Sequence, residues 1–203
     1  MKSSIILVLL LITIGCHRPE DRSGNVEVLN MVPDLEWGTE ETYYDRMTST
    51  WRFKADSNVV SGYIISYFGN GAIQKKTGLV EGRKEGLQHT YYPNGQLRFS
   101  ESYADNKLNG KVKRWGLEEG YQLLAELNYK DGKLHGEQKK WYATGELHKL
   151  MLIENGVENG MQKAFRKNGA LYANYEAKNG RTFGLKRSNL CYELDDEQVV
   201  YAP

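Results

Sequence analysis

Six glycines set a period on this chain. Gly62, Gly86 and Gly110 are 24 residues apart, Gly136 follows after 26, and Gly160 and Gly184 restore the spacing of 24. Self-similarity at a fixed period of this length means one supersecondary unit copied along the chain, and it restricts the fold to stacked repeats. A second glycine stands nine residues after the first, as Gly71, Gly95, Gly145 and Gly169, with Gly120 displaced by one. The fifth residue after the leading glycine is aromatic in five copies: Tyr67, Tyr91, Trp115, Trp141 and Phe165. Ile73, Leu97, Leu147 and Leu171 come two residues after the inner glycine. Gly82, Gly132, Gly156 and Gly180, with Asn106 once in their place, complete the unit. The longer copy carries its extra residues around 117–120 and in the strand after, and turns tolerate such insertions.

Asn-Gly occurs seven times, and Asp131-Gly132 adds a similar pair. Such pairs supply the two positive φ angles of a type I′ turn, whose twist matches the flanking strands of a hairpin. The leading and inner glycines are therefore read as turn residues. Between them the residues alternate, as where Leu97, Phe99 and Tyr103 fall on one face of a strand. Each unit is a strand, a tight turn, a second strand and a second turn. The expected fold class is all-β, an elongated antiparallel meander of tandem hairpins with period 24. Roughly ten to twelve strands at about 4.8 Å each make a sheet about 50 Å long. Counting back 24 residues from Gly62 lands on Gly38, followed by Tyr43 and Tyr44 and by an alternation of Trp51, Phe53 and Ala55. Met47 in place of the inner glycine marks this as a degenerate unit that caps the array. The repeats then span 38–184, and 185–203 read as closing strands.

Composition agrees with a folded domain rich in turns and aromatics: 21 Gly and 14 Tyr against 4 Pro and 2 Cys, with 26% of residues charged. A formal charge of +1 makes no general electrostatic case for nucleic acid. Two cysteines build no disulfide framework, and no Cys or His spacing suggests zinc, so neither metal nor cofactor is expected.

Residues 1–15 run from Lys2 through two serines and the apolar stretch IILVLLLITI to Gly15, the layout of a signal peptide. The stretch is shorter than the roughly 20 apolar residues a spanning helix needs. Gly15 is followed at once by Cys16, and the run TIGC resembles the bacterial lipobox, with Thr13 where leucine is usual. The resemblance implies cleavage after Gly15, acylation of Cys16 and a place in the bacterial cell envelope outside the cytoplasm. The other reading is an ordinary secretory signal beside a chance cysteine. Acyl chains anchor with about 0.8 kcal/mol per buried CH2. Cleavage removes Lys2 and leaves the mature chain formally neutral. Residues 16–37 hold Pro19, Pro33 and scattered charge, as a tether does.

The segments GLQHTYYPNGQLRFSESYADNKLNG and GEQKKWYATGELHKLMLIENGVENG resemble the bacterial variant of the MORN repeat, whose unit is glycine, four residues, an aromatic pair, xNG, xL and a second strand. As a tandem array behind a lipobox, the chain resembles the YwqK family of antitoxin-like proteins. The likeness covers about 38–184. It implies a scaffold that binds a protein partner, a toxin in an antitoxin or immunity pair. Related arrays are also named for membrane binding or for lipid-kinase partners, and a repeat array carries its function in sites grafted on it.

The third position of successive units reads Ile65, His89, Lys113, Lys139 and Lys163, two residues before the aromatic and so on its face. The fourth adds Arg114 and Lys140 on the opposite face. Lys113, Lys139 and Lys163 beside Trp115, Trp141 and Phe165 make a candidate binding ladder for an acidic peptide, a lipid headgroup or an anionic glycan. The plainer reading is a solvated face paired with glutamate across strands, with the aromatics as core. His17, His89, His135 and His148 stand at no metal-ligand spacing and beside no nucleophile. The pairs Glu40-Glu41, Glu118-Glu119 and Asp195-Asp196 fall in turns or near the terminus, and Cys191 between Leu190 and Tyr192 reads as a small buried side chain. The expectation is a binding protein and not an enzyme, with a protein partner, a membrane contact through its lipid and no nucleic acid. Direct binding of anionic glycan or lipid headgroups through the ladder is the alternative.

Overall fold

The computed structural model describes residues 32–185. The segment expected to be a signal peptide with Gly15, the expected acylation site Cys16, most of the expected tether, Cys191 and the strands expected beyond Leu185 lie outside the described residues. The described residues form fifteen strands and no α-helix. They are β1 (Glu36–Gly38), β2 (Thr42–Asp45), β3 (Thr50–Phe53), β4 (Gly62–Tyr67), β5 (Ile73–Val80), β6 (Arg83–Tyr91), β7 (Leu97–Ala104), β8 (Lys107–Trp115), β9 (Leu123–Lys130), β10 (Lys133–Leu134), β11 (Gly136–Trp141), β12 (Leu147–Glu154), β13 (Val157–Phe165), β14 (Leu171–Lys178) and β15 (Arg181–Leu185). From β4 onward the strands pair antiparallel in chain order, with the short β10 beside β9, and β1 joins β4 in parallel to complete a 13-stranded sheet. The chain is an elongated meander of hairpins, as its period predicts.

Two turn geometries alternate along it. Glu81-Gly82, Asp105-Asn106, Asp131-Gly132, Asn155-Gly156 and Asn179-Gly180 each have positive φ at both residues, the type I′ turn of a two-residue hairpin. At the other end of the strands only the glycine is left-handed. Gly95 N–H donates to Tyr92 O at 2.9 Å and Tyr92 N–H to Gln96 O at 2.8 Å, a type I turn closed by a glycine bulge, and Gly71, Gly145 and Gly169 repeat it. The asparagine before that glycine does a different task from the one expected: its side chain accepts the N–H two residues on, from Ala72 to Asn70, Gln96 to Asn94 and Ala170 to Asn168.

The leading glycines correct the turn reading. Gly86, Gly110, Gly160 and Gly184 lie inside strands and Gly62 and Gly136 begin them, all with positive φ. Beside Gly86, β5 pairs Leu79 with Lys84 and Thr77 with Gln88, so two extra residues of β6 bulge out. The same shift recurs at Gly110 and Gly160. A bulge needs the left-handed residue as much as a turn does, so spacing alone did not separate them. Beyond the bulge three successive tips bond to the hairpin before them: Asn106 N–H to Lys84 O, Gly132 N–H to Leu108 O and Gly156 N–H to Leu134 O, at 2.8 to 3.1 Å.

The segment from Gly38 departs from the expected hairpin of the meander. β2 and β3 form a separate two-stranded sheet, and Trp51 N–H reaches Gly82 O at 2.7 Å while Val60 N–H reaches Trp51 O at 3.0 Å. The reason is burial. Val60, Ile64 and Leu79 form the core cluster, and Trp37, Trp51 and Phe53 pack against it, so the segment folds over the end of the sheet that has no preceding repeat to cover it.

Candidate functional site

Residues opposite one another on successive strands form rows that share a face. One row reads Ile65, Lys76, His89, Ser100, Lys113, Glu126, Lys139, Leu150, Lys163 and Asn174. The structure thus brings Lys113, Lys139 and Lys163 onto one face, two strands apart, with other residues between. Glu126 stands between the first two and meets Lys111 Nζ at 3.2 Å and Lys113 Nζ at 3.5 Å. Lys139 Nζ meets Glu137 at 2.6 Å and Lys76 Nζ meets Glu36 at 2.7 Å. Burial pushes the Glu126 carboxyl up, but its two lysines outweigh this and hold it below its ordinary value. The hydrogen bond to Glu137 raises Lys139. Burial, and then Lys76 across the ladder, lower His89. Within this row the sign alternates at Lys113, Glu126 and Lys139, and Glu36 and Glu137 beside the row pair with Lys76 and Lys139.

The aromatic column is half-buried at Tyr91, Trp115, Trp141 and Phe165, and Tyr67 is 56% exposed. It lies where the register shifts by one against the following strand. Tyr91 pairs with Leu97 and Thr90 with Phe99, leaving Arg98 between them, so the bulge interrupts the expected alternation of Leu97 with Phe99. In two of the aromatic pairs the second residue clasps the next unit. Tyr92 Oη donates to Trp115 O and Tyr142 Oη to Phe165 O, each at 2.9 Å.

The opposite face holds a column that the search for charges and aromatics passed over. Gln88, Gln138 and Gln162 are 4%, 0% and 2% exposed. Gln138 Nε2 donates to Asn128 O and Gly136 O at 3.0 and 3.1 Å, and its Oε1 accepts Asn128 N–H at 2.8 Å. Gln162 Nε2 reaches Leu152 O and Gly160 O. Gln88 takes Thr77 Oγ1 at 3.2 Å and donates to the Glu101 carboxylate. In two of the three copies the amide thus satisfies backbone that the bulge two residues earlier leaves without a strand partner. The signal was present as glycine-x-glutamine at Gly86, Gly136 and Gly160. On this glutamine face burial, and then Glu101, push the Tyr103 phenol up to about 12, and Lys84 lies over its ring at 4.6 Å.

The remaining candidates do not converge. His148 lies 3.3 Å from Tyr172 Oη and stacks on Tyr142, while His135 accepts Asn155 N–H. Glu40 and Glu41 sit in a short 3-10 turn after β1. Near it Trp37, Glu41, Phe53, Lys54, Ala55 and Asp56 line an open recess of about 610 Å³. Among the described residues no group of three His, Cys, Asp or Glu is placed to hold a metal, and no helix is long and apolar enough to cross a membrane. Comparison of the chain with protein-family models, with curated proteins and with solved structures finds no match.

Proposed function

We propose that this chain is a protein-binding scaffold of the bacterial cell envelope, held to a membrane through acylated Cys16 and lifted from it by residues 16–37. Its resemblance to the YwqK family suggests an antitoxin or immunity-type component. The observation that supports the reading is a sheet with two open faces, cross-tied by tip-to-tip and tyrosine-to-carbonyl hydrogen bonds. Strands of eight or nine residues give each face about 50 by 25 Å, on the order of 1,200 Å², against roughly 800 Å² per partner in a standard interface. A surface ordered before the encounter loses little conformational entropy on binding. The glutamates beside Lys76, Lys113 and Lys139 make direct glycan or headgroup binding by the lysine ladder the weaker reading.

Crosslinked affinity purification of the acylated protein from native membranes tests the proposal. One protein recovered in stoichiometric amount is the expected result, and recovery of none contradicts it. Cys16→Ser is expected to release the chain from membranes, and acyl labelling that persists in this variant would refute the lipobox.

A further inference from the structure

Back to back with the lysine ladder, a row on the glutamine face runs from Lys75 through Arg114, Lys140 and Lys149 to Ala173. Its other members are Thr90, Phe99, Ala125 and Ala164, so no acidic residue stands in it. Among the described residues none of its four cations makes an ion pair. Arg114 and Lys140 are exposed, two strands or about 10 Å apart, and Lys149 follows on the next strand. The same strands therefore present an acid-free basic row on one side and a partly neutralised one on the other.

Two residues along each strand, on the same face, stand Val112, Leu127 and Met151, half-buried and in register across β8, β9 and β12 around Gln138. The basic row thus borders a row that carries three apolar side chains at its middle, with Gln88 and Glu101 to one side and Gln162 and Tyr175 to the other. That combination fits a chain with carboxylates along one side and apolar side chains along the other. A polysaccharide or a nucleic acid supplies the anions without the apolar groups. The ring faces on which bases would stack are partly covered, since Arg98 lies over Tyr92 and His148 stacks on Tyr142.

We propose that the partner is held by an acidic, apolar-bearing peptide segment lying on the glutamine face along Arg114, Lys140 and Lys149. The proposal rests on the scaffold reading above and names its surface. Opposite charges across the contact steer the encounter and fix the register, and Val112, Leu127 and Met151 add burial.

The test uses the full chain and a fluorescent copolymer of glutamate and leucine as probe, beside poly-glutamate, dextran sulfate, a single-stranded oligonucleotide and phosphatidylglycerol vesicles. The copolymer is expected to bind most tightly, with an affinity that falls as salt rises. Arg114→Glu, Lys140→Glu and Lys149→Glu together are expected to weaken it at least about tenfold, and the three glutamine replacements by less. Lys113→Glu, Lys139→Glu and Lys163→Glu on the other face are expected to leave it within about twofold. Equal losses from both faces, no binding of the copolymer, or tighter binding of any other probe overturns the proposal. The glutamine variant guards against misfolding, because it removes the charge without reversing it and keeps a polar side chain. If the charge-reversed protein still captures the membrane partner, this surface is wrong and the scaffold reading stands; if the wild type captures none, the scaffold reading itself fails.

Discussion

Gln138 and Lys139 are neighbours on β11, yet one side chain is sealed and the other lies in solvent: Gln138 is 0% exposed, while the Lys139 side chain keeps 38% of its surface. The contrast recurs at Gln88 with His89 and at Gln162 with Lys163. One period therefore writes two surfaces. The glutamine face completes the backbone where the leading glycine bends the strand. The lysine face pairs Lys76, Lys113 and Lys139 with glutamates of the same or a neighbouring strand. A thin sheet has little apolar volume to bury, and Val60, Ile64 and Leu79 under the N-terminal cap are its one described core cluster. Its cohesion along the array comes from these repeated backbone and amide contacts.

The largest expected difference between the faces is in stability. Gln138→Ala takes the acceptor from Asn128 N–H and one donor each from Gly136 O and from Asn128 O, which keeps His135 N–H at 2.8 Å, and is expected to lose about 1–3 kcal/mol in urea unfolding. Lys139→Ala, one residue on, is expected to change stability by about 0.5 kcal/mol or less. Similar losses at the two positions would break the distinction. A smaller effect is expected on the lysine face itself. Glu126→Gln removes the carboxylate shared by Lys111 and Lys113, and these partly exposed pairs lose about 0.5–1 kcal/mol at low salt and less at high salt. A loss that does not respond to salt would show that Glu126 acts through packing.

The smallest effect is a pH dependence at His89. Its folded pKa lies below the ordinary 6.5, because burial and Lys76 oppose the charge. As pH falls through 6.5 the unfolded chain takes up this proton first and so binds more protons than the folded one, which lowers stability down to the folded pKa. Unfolding midpoints of the wild type are expected to decline across that window more steeply than those of His89→Asn. Parallel curves would place the neutral imidazole elsewhere.

Much of this architecture was legible because it is periodic. The spacing of Gly62, Gly86 and Gly110 revealed the unit, and the alternation around Phe99 and Tyr103 revealed strands. What spacing could not separate was a bulge from a turn, since both take a left-handed residue; at Gly62 an added Cβ would also meet Leu35 O at 2.5 Å. The cap was expected, but its folding as a separate two-stranded sheet was hidden for another reason. Gly38 stands in step with the array, but the contacts of Trp51 and Phe53 with Val60 and Leu79 are non-local and follow from which surface lacks a neighbour. The lysine ladder was visible as a recurring position, and Glu137 shares the face of Lys139 by strand alternation alone, whereas Glu36 and Glu126 lie on other strands and meet the ladder only in three dimensions. Gln88, Gln138 and Gln162 recur as plainly as the lysines, and a polar side chain at a buried position is recognised only once its backbone partners are known.

Lys139 and Lys140 are adjacent in β11 and point to opposite faces, one into the lysine row and one into the basic row of the glutamine face. A photo-crosslinking residue placed at either position of the full chain, in the cells that make it, tests most directly the proposal that a protein partner meets the glutamine face. Crosslinking to one protein from position 140 and not from 139 is the result expected if the glutamine face is the working surface. Crosslinking from 139 alone, or equally from both, would contradict it.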